Sequence, residues 1–181
     1  MEPARNIELK ARLHNLAAAR IIAQRVATEY LGVQQQTDTY FYCPQGRLKL
    51  REIVDYGPRP NEPPQRLAQL ISYDRPDELN AKQSDYQIVE ITDPARAVAL
   101  KREMGIRVVV AKRREIFLHD NVRIHLDEVT QLGTFLEFEA VLGLQVNAAA
   151  GHTQLAKLQQ EFGIEPADLL ATSYSDMLQA K

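Results

Sequence analysis

Full charges at every second residue of strand-like segments constrain this chain more than any other feature. Residues 5–13 put Ile7, Leu9, Ala11 and Leu13 on one face of an extended segment, and Glu8, Lys10 and Arg12 on the other. Arg47, Lys49 and Arg51 alternate with Leu48 and Leu50. Lys112 and Arg114, then Arg123, His125 and Asp127, then Glu137 and Glu139 continue the pattern in three later segments, and Arg75 ends a fourth. A sheet face laced for solubility mixes both signs within each strand. Here one strand is wholly basic and another is acidic at its two outstanding positions, so like charges need compensation. Eight bases (Lys10, Arg12, Lys49, Arg51, Arg75, Lys112, Arg114, Arg123) stand against four acids (Glu8, Asp127, Glu137, Glu139), although the whole chain carries a formal charge of -2. An anion and a metal ion would balance such a set. Arginine forks and lysines neutralise phosphate oxygens, and convergent carboxylates hold Mg2+ or Mn2+. A dry interior is excluded, because an unpaired buried ion costs several kcal/mol. The charged faces therefore line a hydrated channel, and the apolar faces meet helices.

Eight segments read as strands: 5–13, Thr37–Cys43, Gly46–Val54, Arg66–Asp74, Asp85–Ile91, Arg107–Leu118, Asn121–Val129 and Thr134–Leu142. Helices are expected over 15–31, from the Asp93 cap and Pro94 to about Gly105, over His152–Phe162, and after Pro166. The proline-dense stretch Gly57–Pro64 reads as a long loop between two strands. Gly32, Gly46 and Gly133 are expected in turns. The fold class is α+β: an eight-stranded antiparallel meander closed into a barrel, which removes exposed edges, with helices packed outside. The length fits one domain over 1–181.

Several classes fall away. The mild negative charge gives no basis for nucleic-acid binding. Cys43 is the only cysteine, which excludes an intrachain disulfide and a cysteine zinc site. No stretch approaches the ~18 apolar residues of a membrane span, and a cytoplasmic location is the default. His14, His119 and His152 lack metal-ligand spacing and read as surface residues. Tyr40, Phe41, Tyr73 and Tyr86 could stack on a base or simply pack. The final helices offer a surface for closing one end of the tunnel or for a homodimer contact, and the residues do not separate these.

Asn6-Ile7-Glu8-Leu9-Lys10 resembles the N-terminal Glu-x-Glu-x-Lys signature of the CYTH, or triphosphate tunnel, superfamily. So do Gly46-Arg47-Leu48-Lys49-Leu50-Arg51, Lys112-Arg113-Arg114, His125 to Val129 with Gly133 to Glu139, and the closing Ser173 to Leu178, in the family's order. The first segment is similar to bacterial proteins labelled class IV adenylyl cyclase. The resemblance implies an eight-stranded tunnel acting on a triphosphate (ATP, thiamine triphosphate or tripolyphosphate) with Mg2+ or Mn2+. Carried over by position, it makes Glu8, Glu137 and Glu139 metal ligands. Lys10, Lys49, Arg51, Arg75, Lys112, Arg114 and Arg123 become the phosphate-binding set, with Lys10 and Asp127 assigned to catalysis. Asn6 replaces the family's first glutamate, which weakens a second metal site.

Overall fold

The computed structural model describes residues 4–74, 81–143 and 146–181. Eight strands form within them: β1 (Ala4–Arg12), β2 (Glu29–Phe41), β3 (Arg47–Asp55), β4 (Gln65–Asp74), β5 (Lys82–Glu90), β6 (Ile106–His119), β7 (Val122–Val129) and β8 (Gly133–Val141). The helices are α1 (Leu16–Val26), α2 (Pro94–Glu103), α3 (Ala148–Glu161) and α4 (Tyr174–Gln179). All the strand ladders are antiparallel. Their order is β1-β5-β4-β3-β2-β6-β7-β8, and β8 pairs again with β1, so the sheet curls round and closes. The expectation of a plain meander needs correction. β2 to β5 and β6 to β8 are two meanders, and β1 lies between β5 and β8. β1 is joined to β2 through α1, whose 11 residues span about 16 Å along its axis.

The helix expected over 15–31 stops at Val26, with Asn15 capping Ala18 N–H at 3.0 Å. Tertiary pairing overrides local propensity beyond it. Thr28 donates both its backbone N–H and its Oγ1 to the Leu118 carbonyl, and the Tyr30 ring packs 5.0 Å from Phe117. Gly32 is not in a turn but at a bulge of β2, with φ +104°. A Cβ there would lie 2.0 Å from the Gly57 carbonyl oxygen, so the close backbone crossing demands glycine. The proline-rich segment after β3 is irregular, as expected.

The outward faces make the core. Ile7, Leu9 and Ala11 of β1 join Ile124, Leu126, Leu136 and Phe138 under α1 and α3, through Ala19, Ala23, Leu155 and Leu158. Phe41 and Leu50 meet Ala97 of α2. Two outward glutamates fasten helices to the barrel: Glu115 to Arg20 of α1 at 2.6 Å, and Glu52 to Lys101 of α2 at 3.0 Å. No helix among the described residues is long and apolar enough to cross a membrane.

Candidate functional site

The inward faces enclose a bore of about 430 Å³. Strand parity puts alternate residues into it: Asn6, Glu8 and Lys10 from β1, Lys49 and Arg51 from β3, Lys112 and Arg114 from β6, Arg123 and His125 from β7, and Glu137 and Glu139 from β8. These include every residue assigned to the site from sequence except two. Arg75 lies outside the described residues, and Asp127 points inward but is fully buried beneath Arg114, Lys112 and Tyr174. Six cations (Lys10, Lys49, Arg51, Lys112, Arg114, Arg123) face four carboxylates (Glu8, Asp38, Glu137, Glu139) among the lining residues, so the bore is net basic.

One end of the bore is covered by α4, and three tyrosines make its floor. Lys10 Nζ lies 4.0 Å from the Tyr174 ring centre, Lys112 5.1 Å from the same ring, and Lys49 5.5 and 5.4 Å from Tyr40 and Tyr73. Ring faces favour nearby cations. Ser173 caps α4 reciprocally with Asp176, and Arg47 fastens the same carboxylate at 2.9 Å. α4 thus closes one tunnel end, with Ser173 and Tyr174 lining the bore. Tyr40 and Tyr73 face the bore, whereas Phe41 packs outward under α2.

Two buried acids organise the cations. Asp38 accepts Arg51 Nε and Nη2 at 2.7 Å each and Lys49 Nζ at 3.0 Å. Burial alone would raise its carboxyl, but Arg51 and Lys49 outweigh that and hold it well below the usual carboxylate range. Asp127 accepts Arg114 bidentately at 2.7 and 2.6 Å and the Tyr174 hydroxyl at 2.9 Å. Asp38 escaped the sequence reading, although it shares a face with Gln34, Gln36 and Tyr40. Lys49 is lowered to about 8 by burial and then by Arg51, which Asp38 only partly offsets. Burial and Arg114 likewise push Lys112 well below the ordinary lysine value.

On the opposite wall, Glu8 faces Glu139 across the β1–β8 ladder, and Lys10 faces Glu137. Glu137 accepts Arg114 at 2.6 Å and lies 3.8 Å from Lys10. Glu139 accepts Arg123 at 3.3 Å and the Asn6 amide. His125 faces the bore, 3.8 Å from Glu137 and 4.0 Å from Glu139. Burial first, and Arg114 next, lower its pKa and favour the neutral imidazole. As the side chains stand, no three His, Cys, Asp or Glu groups among the described residues already converge on a metal point. The donor chemistry nevertheless fits a hard divalent cation: paired carboxylates on one ladder, and beside them the buried Asn6 Oδ1 with no hydrogen-bond partner.

A curled eight-stranded sheet whose bore is lined by lysines and arginines together with carboxylates defines a charged-tunnel protein. The CYTH domain model matches residues 4–174, and the chain belongs to that family. Solved structures share the fold. PH1012 from Pyrococcus horikoshii OT3 is 23% identical with a TM-score of 0.75, over 94% of this chain and 98% of its own. A candidate adenylate cyclase from Vibrio parahaemolyticus is 22% identical with a TM-score of 0.75, over 98% and 99%. HpAC1 from Hippeastrum, a candidate adenylyl cyclase with a dominant triphosphatase activity, is 13% identical with a TM-score of 0.66, over 98% and 95%. No curated protein matches the chain.

Proposed function

We propose that this chain is a divalent-metal-dependent enzyme that binds a triphosphate in the bore and cleaves one of its phosphoanhydride bonds. One observation carries the reading: lysines and arginines from β3 and β6, with Lys10 of β1, converge on one cavity that Glu8, Glu137 and Glu139 also line. Lys10, Lys49, Arg51, Lys112 and Arg114 bind the phosphate chain, the arginines through forked hydrogen bonds. Asp38 and Asp127 position those cations before substrate arrives, so the site needs little reorganisation during reaction. Glu8, Glu139 and Glu137 would hold Mg2+ or Mn2+, with Asn6 offering a neutral oxygen. Such an ion would polarise phosphoryl oxygens and acidify the attacking hydroxyl.

The first reading is cyclisation of ATP to cyclic AMP and pyrophosphate. The Glu8–Glu139 pair lies one inward step further from the tyrosine floor than Lys10 and Glu137, which would set the phosphate nearest the nucleoside against the acids and leave the other two to the cations. The second is hydrolysis of the terminal phosphate, favoured by Glu137, which sits a step deeper beside Lys10. Incubation with ATP, thiamine triphosphate and tripolyphosphate under Mg2+ and Mn2+ separates them. Cyclic AMP with pyrophosphate identifies the cyclase, and orthophosphate identifies the hydrolase. Tight binding without turnover in either metal would make the chain a sensor and sink the enzyme reading.

The lowered lysines give a pH prediction. With Lys49 near 8, its ammonium is mostly charged at pH 7 and mostly neutral at pH 9.5. Affinity for tripolyphosphate in the absence of metal therefore falls as pH rises through about 8, read by isothermal titration calorimetry. Lys49→Arg flattens that limb, since guanidinium stays charged. An unchanged slope in Lys49→Arg would remove Lys49 from the phosphate set.

A further inference from the structure

His125 lines the bore, yet neither gripping a phosphate chain nor supplying a carboxylate gives it a task. It points inward from β7 and is only 5% exposed. Its Nδ1 makes no hydrogen bond and lies 3.8 Å from Glu137, while its Nε2 lies 4.0 Å from Glu139. A neutral imidazole carries one donor and one acceptor nitrogen, and burying either without a partner is costly. Asn6 repeats the situation. Its amide nitrogen donates to Glu139, which holds the side chain beside that carboxylate, while Oδ1 has no hydrogen-bond partner in a residue only 1% exposed. Since β8 lies between β1 and β7, these two unpartnered groups flank Glu139 from either side.

A dication answers both. Two ligand atoms can share an ion held about 2.1 Å from each when they stand within about 4.2 Å of one another. The His125–Glu139 separation of 4.0 Å already meets that limit. Arg123 is the cation that faces Glu139, at 3.3 Å, and its side chain is 44% exposed, so it can turn to solvent when an ion takes its place. The donor set then decides which ion. Carboxylate and amide oxygens suit Mg2+ and Mn2+ alike, whereas an imidazole nitrogen favours first-row transition ions over Mg2+.

We infer that His125 is a metal ligand of the bore, completing with Glu139 and Asn6 a mixed nitrogen–oxygen site that selects Mn2+ over Mg2+. The inference rests on the divalent-metal reading above and adds to it a nitrogen ligand and the ion this chain prefers. A ring that merely filled the wall would leave both ions equally bound.

Pulsed EPR of Mn2+ added to the protein without any triphosphate tests it, because a directly coordinated nitrogen nucleus couples to the electron spin and no turnover is needed. The chain has four histidines, so His14→Gln/His119→Gln/His152→Gln leaves His125 alone and should keep the nitrogen coupling. His14 and His152 are exposed, and glutamine can still donate to the Val26 carbonyl that His119 holds, so this variant folds. His125→Gln should abolish the coupling. Calorimetry should show the wild type binding Mn2+ about tenfold or more tighter than Mg2+, 1.4 kcal/mol at 25 °C, with the ratio falling toward one in His125→Gln. Mn2+ bound without nitrogen coupling overturns the inference and leaves the triphosphate reading standing. So does coupling lost in the triple variant, or equal wild-type affinity for the two ions, and these results decide the matter whether or not His125→Gln folds. Absence of any Mn2+ binding removes the inference and the metal requirement of the proposed function together.

Discussion

Glu139→Gln should lower metal-dependent turnover of a triphosphate roughly 100-fold or more, since even residues behind a metal ligand cost 10–100-fold when changed. The substitution keeps the shape and the hydrogen bond from Asn6 but removes the charge that a divalent ion needs. Its stability cost is small. The Arg123 side chain is 44% exposed, so the Arg123–Glu139 pair is screened by water and contributes at most about 1 kcal/mol. Steady-state kinetics, Mn2+ titration and thermal melting together check this. Undiminished turnover would remove Glu139 from the ligand set. Glu137→Gln should lose activity too, but with a larger fall in melting temperature. Glu137 is also where Arg114, at 2.6 Å, and Lys10 find a counter-charge.

Asp38→Asn should be strongly destabilising. Asparagine keeps the volume but leaves Arg51 and Lys49 without the carboxylate that holds both. Removing one partner of a buried ion pair costs 3–5 kcal/mol, and here the lower figure of about 3 applies because the cations border a hydrated cavity. For a chain of this size that is roughly 6–12 °C in melting temperature. Tripolyphosphate should then raise the variant's melting temperature by more than the wild type's, because the ligand supplies the missing negative charge. Equal shifts would mean the ligand does not reach Arg51 and Lys49. The pH dependence carries the same sign. A carboxyl held below its unfolded value contributes stability that is present above about pH 4. That contribution disappears as pH falls toward the folded value, so the wild type's acid limb lies well below pH 4 and Asp38→Asn lacks this component. Arg51→Ala should lower the melting temperature and not relieve cation crowding, since Asp38 would lose its bidentate partner.

Period-two charge was enough to read the bore, because a one-residue shift would bury every cation in the outer core. Lys49 and Arg51, or Glu137 and Glu139, thus declared their direction without coordinates. Asp38 did not. The inward face of β2 carries glutamines beside it, and a single acid among Gln34, Gln36 and Tyr40 has no like-charged neighbour to mark it. The start of β2 was hidden for another reason. Ala17 to Val26 favour helix, and nothing local says that Thr28 will find the Leu118 carbonyl on a strand far along the chain. Strand order was equally invisible, since alternation fixes which way side chains point but not which strand lies beside which. The floor depended on how α4 docks, which the motif Ser173 to Leu178 does not encode by itself.

The position of β1 has a consequence for how this molecule can be cut and joined. Glu8 comes from the first strand and Glu139 from the last, and they meet only across the ladder that shuts the ring. That ladder works as a clasp: no fragment missing either strand owns both acids, so the acidic wall has no partial form. Breaking the chain in the proline-rich loop after β3 would leave the clasp whole, whereas any splice that keeps β1 from reaching β8 would leave the cations of β3 and β6 without the acids of that wall.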